Sequence, residues 1–181
     1  MIISVVNHSF KYETEKLCRI FFPNEEFAFT DSIADGEFDY INTYVNDADT
    51  TNTTVCADIS YSGNKSHSQR IVFNREDNFE KKCERALALC LYDVMKDVTG
   101  YTPPWGILTG VRPAKLMSSY CAEMDSGKAK AIFTDELKVS DEKTELAYEV
   151  AEKESYITSL SSDDSFSLYV SVPFCPTRCS Y

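Results

Sequence analysis

Polar and apolar residues alternate along three stretches of this chain and recur at helical spacing along several others. The two periods predict different elements. The opening run IISVV (2–6) is apolar apart from Ser4 and predicts a buried first strand. Residues 10–22 carry Phe10, Leu17 and Phe21 at helical spacing and stop at Pro23. Period-two segments follow. In 38–45, Phe38, Tyr40 and Tyr44 share one face. In 54–61, Val55, Ala57, Ile59 and Tyr61 share one face while Asp58 and Ser60 point away. In 67–73, Ile71 and Phe73 are in phase. The connections NDADTTN and SGNK have turn chemistry, so these strands read as an antiparallel meander.

Residues 76–98 predict a long helix, with one apolar stripe through Phe79, Cys83, Leu87, Cys90, Leu91, Val94 and Val98. Gly100 is placed to cap it. The remainder reads as helical. Pro113 suits the first position of a helix that turns Leu116, Met117, Tyr120 and Met124 inward. A second helix is expected over 128–138, through Ala129, Ile132, Phe133 and Leu137. Ser140 then caps a long helix with Asp141 and Glu142 in its first turn, where negative charge suits the dipole. Its expected buried stripe is Leu146, Val150, Ile157 and Leu160. SSDDS (161–165) reads as a linker and FSLYVSV (166–172) as a further strand.

This order predicts an α+β fold: an N-terminal sheet, largely an antiparallel meander, with packed helices. Three parts are expected: an accessory domain over 1–100, a helical connector over 101–160, and the start of another domain over 161–181.

Composition narrows the function. No run of about 18 apolar residues is present, so no membrane partner is expected. The N-terminus lacks a signal peptide's basic flank, and a cytoplasmic location is expected. The net charge of −11 repels phosphate backbones and argues against a nucleic-acid partner. One stretch differs: residues 99–117 hold Arg112 and Lys115 and no acid. In a reducing compartment the seven cysteines are not a disulfide framework. Cys18, Cys56, Cys83, Cys90 and Cys121 sit singly inside periodic segments, as small buried hydrophobes do.

Cys175 and Cys179 differ, being spaced C-x-x-x-C and flanked by Pro and Arg. Thiolates suit zinc or iron–sulfur clusters. A structural zinc needs four ligands, and His8 and His67 are remote in sequence. A thioredoxin-like dithiol has a two-residue spacer. By spacing alone, two ordinary loop cysteines remain as good a reading.

The surrounding residues, YVSVPFCPTRCSY (169–181), resemble the first strand and cluster loop of radical S-adenosylmethionine (SAM) enzymes, in the branch of oxygen-independent coproporphyrinogen oxidases. Pro173, Phe174, Cys175, Cys179 and Tyr181 match its Pro-Phe-Cys-x-x-x-Cys-x-aromatic-Cys pattern, and Ser171 stands where relatives often carry His. The stretch PPWGILTGVRPAKL (103–116) is similar to a motif of HemZ-type coproporphyrinogen dehydrogenases.

The resemblance implies that Cys175 and Cys179, with a third thiolate at position 182, hold a [4Fe–4S] cluster whose open iron binds SAM. Tyr169 and Tyr181 would line the SAM site. Reductive cleavage of SAM would give a radical that takes hydrogen from a porphyrinogen propionate, with loss of carbon dioxide, and an electron donor is implied. The 166–172 strand would open a partial barrel. The 181 residues are then expected to be the N-terminal region of a longer oxidoreductase of haem biosynthesis, holding no cluster and not catalytic by themselves. Arg112 and Lys115 are candidate substrate-facing cations, since a guanidinium fork suits a propionate; the alternative is a structural turn in which Arg112 pairs with an acid. Two other functions fit the same motifs: a haem carrier of the same family, and a radical SAM enzyme that modifies RNA, which the acidic N-terminal half disfavours.

Overall fold

A computed structural model describes residues 1–47, 52–73, 78–162, 164–166 and 168–171. Its elements run β1 (Ile2–Val6), α1 (Lys11–Phe21), β2 (Ala28–Thr30), β3 (Tyr40–Asp47), β4 (Asn52–Tyr61), β5 (Asn64–Phe73), α2 (Phe79–Thr99), α3 (Pro113–Glu123), α4 (Ser126–Ala131), a π-helical turn (Ile132–Glu136) and α5 (Asp141–Ser159). The fold is α+β. No helix among the described residues is long and apolar enough to cross a membrane.

The strands form one sheet in the order β2-β1-β3-β4-β5. The expected meander is present: β3, β4 and β5 are antiparallel neighbours, with Ile41 opposite Ile59 and Cys56 opposite Gln69. Ser62 and Gly63 turn the β4–β5 hairpin with φ of 49° and 80°. Positive φ at both central residues gives the twist that two antiparallel strands need. The opening strand β1 instead lies parallel to both β2 and β3. Helix α1 makes the β1–β2 crossover, which a parallel pair requires.

Helices α1 and α2 cover one face of the sheet. Ile3, Ile41, Val55, Ala57 and Ile59 meet Leu17, Leu87, Cys90, Leu91 and Val94 there, all at most 2% exposed. Each such aliphatic side chain contributes about 1.5–3 kcal/mol by leaving water. The stripe expected on α2 is therefore the one that packs, and Gly100 caps the helix at φ +67°, its N–H bonded to the Lys96 carbonyl. The opposite face is held by polar side chains under the 31–39 loop. Asn42 bonds both backbone groups of Ala34 and reaches Asp58 at 2.7 Å.

Several expected faces differ from those observed. Ile71 and Phe73 do share a face of β5, but it is the open one, and Val72 is the buried neighbour. As the edge strand, β5 meets α2 on one side only, where Ser66, Ser68 and Arg70 bond Asp97 and Asp93. On β3, Tyr40 and Tyr44 lie on the polar face, and Ile41 enters the helical core.

The connector region packs onto the same core, which runs on through Met117, Ala129, Phe133, Leu137, Val139, Ala147 and Ala151. The helix expected over 128–138 is instead α4 followed by the π-turn, closed by Leu137 N–H to the Ile132 carbonyl. Ser140 caps α5 as expected, its Oγ accepting from the Lys143 N–H. The buried side of α5 is not the expected stripe. Thr144, Ala147 and Ala151 face inward, while Leu146, Val150, Ile157 and Leu160 are exposed. Small side chains let α5 lie close against α3, since the distance between helix axes follows the size of the contact residues. The strand expected over 166–172 is absent from its described residues, 166 and 168–171, which run as irregular backbone. A strand exists by pairing with a neighbour, and among the described residues no hydrogen-bonded strand lies beside these.

Candidate functional site

The loop carrying PPWGILTGVRP connects α2 to α3 and is fixed by backbone bonds. Gly106 N–H donates to the Pro103 carbonyl, Leu108 N–H to Trp105, Ile107 N–H to Leu137 and Ser140 N–H to Pro104, all at 3.0–3.1 Å. Gly106 has φ +57°, and a β-carbon there would collide with the backbone of Leu137 and Lys138. The glycine thus meets two requirements, a left-handed backbone and a close approach of two chain segments. Lys138, on the opposing segment, also has positive φ, at 60°. The motif is the seam between the sheet domain and the four helical elements that follow it.

Two recesses flank this seam. One is a cleft of 290 Å³ between α1, α2, the loop and α3, with Leu17, Ile107 and Leu116 on its apolar wall and Glu13, Lys81 and Glu84 among its charged lining. Burial pushes the Glu84 carboxyl up, and the Glu13 and Glu80 carboxylates push the same way against Lys81 and Arg85. Arg85 bridges α2 to the π-turn and α3, donating to Glu136 at 3.0 Å and to the Tyr120 hydroxyl at 3.2 Å. The other recess is an apolar groove of 460 Å³ walled by Ile20, Tyr101, Pro104, Trp105, Leu108 and Val111.

The sequence-derived candidates fall as follows. Arg112 and Lys115 are exposed at the start of α3, line neither recess and have no ion-pair partner among the described residues. Arg112 therefore does not pair with an acid there. Tyr169 is described and 88% exposed. Cys175, Cys179 and Tyr181 lie outside the described residues. Among the described residues no group of three or more His, Cys, Asp or Glu side chains is placed to hold a metal ion. Cys18, Cys56, Cys83 and Cys90 are buried, as their periodic settings predict, and Cys121 is half-buried. Burial pushes the Cys18 thiol up to about 12 and the Cys90 thiol to about 11. The cleft around Glu84 was not legible in the sequence. Its signal is the Glu80, Lys81, Glu84, Arg85 run off the apolar stripe of α2, which looks the same as a solvated helix face.

The chain is similar to an oxygen-independent coproporphyrinogen-III oxidase-like protein. That relative, HemZ of Bacillus subtilis (strain 168), is 34% identical over 107 residues. The match takes in 56% of this chain but 21% of the relative, so the chain spans about a fifth of the length of the curated protein that it matches. No family model matches the chain, and no solved structure matches it.

Proposed function

We propose that this chain is the N-terminal region of a radical SAM oxidoreductase that decarboxylates coproporphyrinogen III propionates without oxygen. The observation that carries the reading is the similarity to the coproporphyrinogen-III oxidase-like protein over more than half of the chain. The Cys175–Cys179 spacing, in register with Pro173 and Phe174, supports it from the sequence. On this reading Cys175 and Cys179 supply two thiolates to a [4Fe–4S] cluster, a third follows at position 182, and Tyr169 and Tyr181 lie beside SAM. A cluster held by these thiolates would supply the one-electron chemistry for reductive cleavage of SAM, with the electron drawn from a donor protein. The protein's part is to hold the cofactor and exclude water. Residues 1–100 act as an accessory domain joined through the helical connector 101–160, with Arg112 and Lys115 as cations toward a carboxylate-bearing substrate.

The test is iron and sulfide content, with SAM cleavage under a reductant, on the 181-residue chain and on a polypeptide extended past residue 182. The extended protein is expected to take up about four irons, the content of one [4Fe–4S] cluster. Cys179→Ala in it loses them, and Cys90→Ala keeps them because Cys90 is buried against the Val55 carbonyl. Iron that survives Cys179→Ala, or no iron in the extended protein, sinks the reading.

A further inference from the structure

The exposed side of α5 carries an apolar stripe. Leu146, Val150, Lys153, Ile157 and Leu160 follow one another at spacings of four, three, four and three residues. At about 100° per residue they fall within an arc of roughly 80°. That arc lies well away from the Thr144, Ala147 and Ala151 side that packs on α3. Beyond Ala151 every residue of α5 is exposed, so its last two turns stand clear of the core with Tyr156, Ile157 and Leu160 each about two-thirds exposed. The segment that follows exposes Phe166, Leu168, Tyr169 and Val170 by at least four-fifths.

The area is large. At about 150–250 Å² for an aromatic side chain and somewhat less for an aliphatic one, the exposed parts of the nine apolar side chains among them sum to the order of 1,000 Å². One partner in a standard protein–protein interface gives about 800 Å². The rim is acidic: α5 carries Asp141, Glu142, Glu145, Glu149, Glu152 and Glu154 against Lys143 and Lys153, and of these acids Glu145 pairs with Lys130 and Glu142 with Lys143. A second copy would bring two such rims together, which like charge opposes. The complementary surface is an apolar protein face edged with Lys and Arg. The relative has the length to include one, since the matched stretch is 21% of it.

We propose that the α5 stripe, with residues 166 and 168–170, is the docking face for the cluster-bearing domain of the same polypeptide, through an apolar, basic-rimmed surface on that domain. The proposal rests on the radical SAM reading above. Docking there ties the cluster loop to the sheet domain through one continuous helix.

Thiol labelling tests it. Ile157→Cys is placed in the 181-residue chain and in the extended polypeptide, with Lys128→Cys, whose side chain is 77% exposed off the stripe, as the control. Modified sites are read by peptide mass spectrometry, which separates them from the native cysteines. The Cys at 157 is expected to react freely in the 181-residue chain and about tenfold or more slowly in the extended one, with the control unchanged. Leu160→Asp should lower the unfolding midpoint of the extended polypeptide by several degrees and leave that of the 181-residue chain in place. Equal labelling in both proteins overturns the proposal. So does a dimer of the 181-residue chain by light scattering that Leu160→Asp dissolves, because the occupant is then a second copy. Iron content of the same samples separates the two claims. Iron bound with position 157 still reactive removes the docking face and leaves the oxidoreductase reading; protection without iron does the reverse.

Discussion

Replacing Gly106 by alanine tests the seam between the sheet domain and the helices. Two costs add. The first is conformational: φ is +57°, and an L-residue held in the left-handed region costs about 1–2 kcal/mol. The second is steric. The new β-carbon would run into the Leu137 and Lys138 carbonyl groups, which are backbone atoms and cannot rotate away as a side chain can. Forcing a backbone shift of that kind costs about 1–3 kcal/mol, and the bond from Ile107 N–H to the Leu137 carbonyl lies next to the point of impact. The sum is about 2–5 kcal/mol. Gly110→Ala is the internal reference, because Gly110 has φ +66° and a β-carbon added there would meet nothing within 4 Å. It should incur the first cost alone, about 1–2 kcal/mol. Urea denaturation followed by tryptophan fluorescence measures both, and Trp105, in the same loop, is the one tryptophan of the chain. Stability losses that agree within about 0.5 kcal/mol, the usual scatter of a neutral substitution, would refute the close-approach argument and leave only backbone strain.

Two further outcomes follow from the core and from the cleft. Leu87→Asp places a carboxylate at a position 2% exposed between α2 and the sheet; the lost burial and the unpaired charge cost about 4 kcal/mol or more together, so a cooperative thermal transition like that of the parent would show the core to be wrongly placed. Glu84→Gln should stabilise the protein at neutral pH, because a carboxyl whose folded pKa is raised binds its proton more tightly in the folded state, so stability falls as pH rises above the unfolded value of 4.5. Below that value the two proteins should converge, and a difference that persists unchanged into acid would assign the effect to packing.

Strong periods made some elements legible in the sequence. Helix α2 shows because seven apolar residues fall on one stripe, and the capping Ser140 and Gly100 show because their backbone roles are local. The Ser62-Gly63 turn is legible for the same reason. Strand β2 has three residues, too few for a period to show. On α5 the large apolar residues point to the wrong face, because the helix buries the small Ala147 and Ala151 to come close to α3. The π-turn leaves no periodic trace, since it shifts the repeat within a single turn. As for the site, the loop motif is visible, but that Gly106 is required by the backbone of residues 137–138 is a long-range fact with no local signature. Arg112 and Lys115 stand out in the sequence as cations without nearby acids, and both are exposed at the surface.

The buried cysteines have a consequence for reagents. Metals and electrophiles bind or attack the thiolate and leave the protonated thiol largely alone. With Cys18 held up to about 12, only some one in ten thousand or fewer of its molecules is ionised near neutral pH, and Cys90, at about 11, is only about tenfold less protected. Burial also raises Cys56 and Cys121. Of the thiols in this core, Cys18 and Cys90 are thus held protonated most firmly. Burial and the raised thiol pKa together make Cys18 and Cys90 poor nucleophiles and poor metal ligands while the fold is intact.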